Sequence, residues 1–183
     1  MIRVSVGESA VGRIFLHAGV VGWRGKAILL PADSFRGKST LVAELIRQGA
    51  VYYSDEFAVL DENGLVHPFV RPLSMREIIK GSCIDFELSP EKIGATVGRE
   101  AIPVGLVLLT SYLEGARWSP KLLTPGKGIL EMIPFAISLR IQPEFTMKVL
   151  NKVARNAIIA SGSRSNAKKF AKTLLDFVDK HVN

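Results

Sequence analysis

The segment Ala32-Asp33-Ser34-Phe35-Arg36-Gly37-Lys38-Ser39-Thr40 constrains this chain more than any other part of it. It follows the pattern G-x-x-x-x-G-K-[ST], with alanine at the first glycine. Between a strand and a helix, such a run turns the backbone so that successive N–H groups converge on one point. The helix that follows adds the positive end of its dipole. Phosphate oxygens fit that environment. Lys38 would then reach the β and γ phosphates of a nucleoside triphosphate, and the Ser39 hydroxyl would ligate Mg²⁺. Residues 32–40 are therefore the candidate nucleotide-binding residues. The methyl group of Ala32 is tolerable only if that residue keeps a negative φ.

The flanks supply both required neighbours. Lys26-Ala27-Ile28-Leu29-Leu30 is a short apolar strand. From Lys38 to Gln48 the residues Leu41, Val42, Leu45 and Ile46 fall on one helical face. Gly49 then suits the left-handed stop after a helix. A further short strand, Val51 to Tyr53, leads into Asp55 and Glu56, which stand 17 and 18 positions after Lys38. A strand beside the loop strand delivers its end to the same crevice. Metal-dependent phosphoryl transfer needs a carboxylate near the metal and one to take the proton of the attacking hydroxyl. Adjacent carboxylates in an extended strand point to opposite sides, so one is expected to face the phosphates and the other the metal shell or solvent.

Elsewhere the first half reads as strands and turns. Ile2 to Val6 alternates weakly. Arg13 to Leu16 and Gly19 to Trp23 are strand-like, with a turn at Arg24-Gly25. Phe57 to Leu60 and Leu65 to His67 flank a hairpin turn at Asn63-Gly64. Residues 71–100 carry no clear period. Pro103 to Thr110 is a buried strand. Thr124-Pro125 opens a helix, Pro143 to Arg155 is helical, and Ala157 to Ala160 is a strand. Ser165 to His181 is an amphipathic helix.

Bulk properties narrow the function classes. Of 183 residues, 48% are hydrophobic and 22% charged, which suits a folded domain with a sizeable core. No run is long enough to span a bilayer, the N-terminus lacks a signal-peptide core, and Cys83 is the only cysteine. A cytoplasmic protein without a membrane partner is expected. The net charge of +7 draws anions. Lys148, Lys152, Arg155, Arg164, Lys168, Lys169 and Lys172 read as solvated faces of two late helices. No zinc spacing or aromatic RNA signature accompanies them, so nucleic acid is not the expected partner.

His17, the loop and the acidic pair together resemble the HPr serine kinase/phosphorylase family, within the phosphoenolpyruvate-carboxykinase-like group of P-loop proteins. The family's catalytic domain has a histidine ahead of the loop, a loop ending G-K-S, a helix and an acidic pair. Here these read His17-Ala18-Gly19, Pro31 to Thr40, Leu41 to Gly49 and Ser54-Asp55-Glu56. The resemblance spans residues 13–60. Arg71-Pro72-Leu73-Ser74-Met75-Arg76 is similar to a segment of short HPr-kinase-like serine kinases. The resemblance implies that Lys38 and Ser39 are the loop lysine and magnesium serine. It implies that Asp55 takes the acceptor's proton, and that His17 is the active-site histidine. It also implies that Glu56 stands at the second acidic position and that Glu77 echoes a further magnesium glutamate. Arg71 or Arg76 either stabilises the transferred phosphoryl group or is a surface arginine.

The expected fold is a single α/β domain over residues 1–183. It has a mixed, strand-rich sheet around the P-loop and helices concentrated towards the C-terminus, as in the HPr kinase catalytic domain. The expected activity is transfer of the γ-phosphoryl group of ATP, with Mg²⁺, to a hydroxyl on a protein, peptide or small molecule. A serine is the favoured acceptor. The alternatives are a nucleotide-binding regulatory module and an NTP hydrolase. The family also implies a homo-oligomer.

Overall fold

A computed structural model of the protein describes residues 12–33, 37–79 and 82–182. Ser34, Phe35 and Arg36 of the loop, and the weak alternation over 2–6, lie outside the described residues. The elements run β1 (Arg13–Trp23), β2 (Lys26–Pro31), α1 (Lys38–Arg47), β3 (Val51–Ser54), β4 (Phe57–Asp61), β5 (Leu65–His67), β6 (Leu73–Ile79) and β7 (Ser82–Leu88). They continue β8 (Ile102–Tyr112), β9 (Lys121–Leu122), α2 (Pro125–Met132), α3 (Pro143–Asn156), β10 (Ile158–Arg164) and α4 (Ala167–His181). The fold is mixed α/β and strand-rich, and among the described residues three of the four α-helices follow residue 124.

Eight strands share one sheet in the order β2-β1-β4-β5-β8-β10-β9, and β3 also pairs with β1. Because β2 also pairs with β8, the strands β2, β1, β4, β5 and β8 close into a circuit. β1 makes this possible by its length. Its first half pairs antiparallel with β4, from Arg13↔Asp61 to His17↔Phe57. Its second half pairs with β2 on one edge and β3 on the other. The two segments read as Arg13–Leu16 and Gly19–Trp23 are therefore one strand, and His17 lies inside it.

From Ala27 to Pro31 β2 is apolar, because both its faces are covered. Ile28 and Leu30 pack with Leu41, Val42 and Leu45 of α1 and Phe170 and Leu174 of α4. Ala27 and Leu29 face the opposite way, towards Met132 of α2 and Val149 and Val153 of α3. β8 and β10 divide in the same manner, with Leu106 and Leu108 on the first side and Val107 and Ile159 on the second. Helices on both faces of a sheet place its strand ends, rather than its faces, within reach of a ligand.

The turns follow their chemistry. Arg24 and Gly25 both have positive φ, at 49° and 78°, as a two-residue hairpin turn requires. Gly49 sits at φ 96° after α1. At the β4–β5 turn Asp61 accepts hydrogen bonds from the amides of Asn63 and Leu65 at 2.8 and 3.0 Å. Residues 71–100 hold the exposed hairpin β6–β7, paired from Leu73↔Leu88 to Ile79↔Ser82.

Candidate functional site

The site begins where β2 gives way to α1. Gly37 holds φ 74°, ψ 24° at the N-cap of α1, a left-handed conformation that glycine adopts without steric penalty. Its carbonyl accepts the first helical bond from the amide of Leu41 at 3.2 Å. Among the described residues Arg24 is the only non-glycine with positive φ. The methyl of Ala32 is thus accommodated, and that residue is buried. Gly19 of β1 passes beneath the first turn of α1. A Cβ there would come within 2.6 Å of Val42 Cγ2 and 3.2 Å of Lys38 Cγ. The glycine in His17-Ala18-Gly19 is a packing requirement for the strand that carries His17.

Lys38, His17 and Asp55 converge from α1, β1 and the bend between β3 and β4. Lys38 Nζ donates to the Asp55 main-chain carbonyl at 2.5 Å and lies 3.4 Å from His17 Nε2. Burial pushes the Lys38 ammonium below its ordinary value, against the attraction of Asp55 and Glu56. Burial, together with the neighbouring Lys38, also pushes His17 down, so its ring is neutral near pH 7. Asp55 is 4% exposed. Its carboxyl is pushed up by burial, with Lys38, the Ser39 side chain and the Ser74 amide opposing. Oδ2 accepts from the Ser74 amide at 3.1 Å. Oδ1 is buried and accepts no hydrogen bond. That bare oxygen breaks the usual rule for buried polar atoms.

Glu56 lies beside this group. Its main-chain carbonyl accepts from the Ala18 amide at 3.1 Å, and its carboxylate is 3.7 Å from Arg71 Nε. The Ser39 hydroxyl and the carboxylates of Asp55 and Glu56 form a set of hard oxygen donors, the type Mg²⁺ prefers. The bare Asp55 oxygen is the observation that fits a cation or proton at this point. Among the described residues no group of three or more His, Cys, Asp or Glu is arranged to hold a metal alone. Mg²⁺ customarily takes one or two carboxylates and completes its shell with water and phosphate oxygens.

A cavity of about 750 Å³ opens over the cluster. His17, Lys38, Ser39, Thr40, Asp55 and Glu56 line one side, and the β6–β7 hairpin lines the other with Ser74, Arg76, Cys83, Asp85 and Glu87. Arg76 and Asp85 pair across the hairpin at 2.6 and 3.0 Å. Of the described site candidates singled out in the sequence, Ala32, Asp33, Arg71 and Glu77 do not line this cavity. Glu77 is exposed, pairs with Ile84 and lies one residue out of phase with Ser74 and Arg76. Met75, on the same face of β6, does line the cavity, but Glu77 two residues further on does not. Asp33 lines a second, smaller cleft with Ala32 at the ends of β2, β8 and β10.

The sequence reading also misplaced Arg164. Rather than a solvated helix residue, it is the last residue of β10 and 2% exposed. Its Nη2 donates to the Gly37 carbonyl at 2.7 Å and its Nη1 to the Ser165 carbonyl at 3.2 Å. Phe170 and Leu174 had marked the helix that follows, but no periodicity marks a lone arginine at a strand end.

Among solved structures, the chain is similar to the Hpr(Ser) kinase/phosphatase from Coxiella burnetii, at 16% sequence identity and a TM-score of 0.47. The alignment covers 91% of this chain and 95% of that chain. No protein-family model matches, and no curated protein does. No helix among the described residues is long and apolar enough to cross a membrane.

Proposed function

We propose that this protein is an ATP-dependent kinase that transfers the γ-phosphoryl group to a hydroxyl, with serine of a protein or peptide as the favoured acceptor. The observation that carries this reading is the bare, buried Asp55 Oδ1 beside Lys38 at the head of α1. A carboxylate lifted above its ordinary pKa is a stronger base, and an oxygen that accepts no hydrogen bond has its lone pairs free to take a proton.

The residues divide the work. The first-turn amides of α1 and the Lys38 ammonium bind phosphate oxygens. In the free protein Lys38 rests on the Asp55 carbonyl, and it must turn from that carbonyl to meet phosphate. Neutral His17 can accept a hydrogen bond from Lys38 and so steer the ammonium without adding charge. Ser39 and Glu56 would hold Mg²⁺, which neutralises charge on the phosphates when bound. Asp55 takes the acceptor's hydroxyl proton on Oδ1. The acceptor oxygen then bonds to the γ-phosphorus as the bond to the β-bridging oxygen breaks, and ADP leaves. The Arg76 side of the cavity faces the space the acceptor occupies.

The test is incubation with γ-labelled ATP, Mg²⁺ and cell extract. Label appearing on a hydroxyl in the presence of wild type, but not of Lys38→Ala, is the expected result. Free phosphate alone would make the protein a hydrolase. Binding without turnover, unchanged in Asp55→Asn, would make it a regulatory nucleotide-binding module.

A further inference from the structure

We propose that Arg164 is a positioning residue for the phosphate-binding turn, setting the direction of the Lys38 main-chain N–H from the end of β10. The inference rests on the nucleotide-binding reading above. Its geometry is independent of Asp55 and of the transfer step.

The Gly37 carbonyl receives two donors, the Leu41 amide at 3.2 Å and Arg164 Nη2 at 2.7 Å. That oxygen shares a rigid planar peptide with the Lys38 nitrogen. Fixing the oxygen therefore fixes the plane, and a trans peptide directs N–H opposite to C=O. An N–H pinned in this way is pre-aimed, which removes an ordering cost at the moment phosphate binds. The Leu41 bond alone is the ordinary first bond of any helix, and helix ends fray. The guanidinium supplies a second, charge-assisted bond from a residue 127 positions away.

The fit between the two residues is close. A Cβ on Gly37 would come within 2.8 Å of Arg164 Nη2. Glycine at 37 thus answers two demands, the left-handed φ and the approach of the guanidinium. Arg164 itself is held by its own chain. β10 pairs in parallel with β8 up to Arg164↔Tyr112, its carbonyl accepts from the Leu113 amide at 2.9 Å, and Nη1 reaches Ser165. A guanidinium this deeply buried is costly unless it is hydrogen-bonded, and here Nη2 is spent on the Gly37 carbonyl beneath the turn and Nη1 on the Ser165 carbonyl. Lysine at 164 would carry the charge but not the fork that spans two carbonyls.

The experiment is calorimetric titration of ATP·Mg²⁺ and of inorganic tripolyphosphate into the full chain. Wild type is compared with Arg164→Met, Arg164→Lys, Lys38→Ala and Thr110→Val. Thr110 Oγ1 donates to the Gly162 carbonyl at 2.7 Å, so Thr110→Val disturbs the same strand pair without touching the turn. The expected result is at least a tenfold loss of affinity for both ligands in Arg164→Met and a smaller loss in Arg164→Lys, with Thr110→Val binding like wild type despite a lowered Tm. If Arg164→Met does not fold, Arg164→Lys carries the test. Arg164 variants that bind as wild type does, while Lys38→Ala binds poorly, overturn this inference and leave the kinase reading standing. Equal losses in Thr110→Val and the Arg164 variants would reduce Arg164 to a structural residue and also overturn it. A wild-type chain that binds neither ligand overturns both.

Discussion

The cavity has two walls built on opposite terms. One is the cluster of His17, Lys38 and Asp55, enclosed by strands and a helix, with pKa values displaced by burial. The other is the β6–β7 hairpin, where Ser82 to Glu87 are all exposed and Arg76 meets Asp85 in water. Side chains whose charge has been made costly can do proton chemistry near neutral pH. Side chains left in solvent are not made costly by burial and can contribute shape and selectivity instead. On the kinase reading proposed above, reactivity belongs to the buried wall and choice of acceptor to the exposed one.

The largest expected effect tests the buried wall. Asp55→Asn should cut phosphoryl transfer by roughly 10²–10⁴-fold, the range of general-base loss, while raising Tm in a thermal scan. The sign follows from the raised pKa. The folded carboxyl resists ionising, so its cost is absent at low pH and is incurred as pH rises through the ordinary carboxylate range to the raised folded value; asparagine never ionises. A variant both slower and less stable would contradict the claim that burial tunes this group. Next, Lys38→Ala should weaken ATP·Mg²⁺ binding roughly 10–100-fold, the value of hydrogen bonds to a charged partner, as read by calorimetry.

A smaller effect comes from His17. Its folded pKa lies below the ordinary value of 6.5, so it is neutral in both states above that pH. As pH falls below about 6.5 the unfolded chain takes up a proton first, and stability declines until the folded pKa is reached. Denaturant midpoints between pH 7 and 5 should fall less steeply in His17→Gln than in wild type. Matching slopes would remove His17 from the buried set. The smallest structural effect belongs to the exposed wall. Arg76→Ala with Asp85→Ala should leave Tm unchanged, because exposed pairs contribute little. It should raise KM for the acceptor a few-fold without moving KM for ATP. A rise in both would mean that the hairpin also holds nucleotide.

The same contrast explains what the sequence disclosed. β2, α1, β3 and β4 were legible because burial imposes periodicity: Leu41, Val42, Leu45 and Ile46 repeat at helical spacing and Ala27 to Leu30 form an apolar run. The motif then told which strand end mattered. The hairpin was harder to read because, although Ile84, Phe86 and Leu88 alternate with Asp85 and Glu87, Glu77 interrupts the same alternation in β6 and neither face of β7 is buried. Glu77 falls outside the cavity lining, a placement that depends on the hairpin register rather than on local spacing. The continuity of β1 through His17 and the closing contact of β2 with β8 depend on partners far along the chain. Arg164 was hidden by the same distance.

The strand circuit has a consequence for how the protein is made. β2, which leads into the phosphate-binding turn, borrows one neighbour from residue 18 onward and the other from residue 104 onward. A ribosome that has released only the first sixty residues has issued the whole nucleotide motif, yet the strand beneath it still lacks its second edge. Long-range closures of this kind are slow and leave edges bare in the interval. Competence to hold ATP should therefore arrive late in synthesis, with β8 and β10 rather than with the motif itself. A nascent-chain series arrested at increasing lengths and probed for ATP-dependent protease protection would show protection beginning only after β10 has emerged.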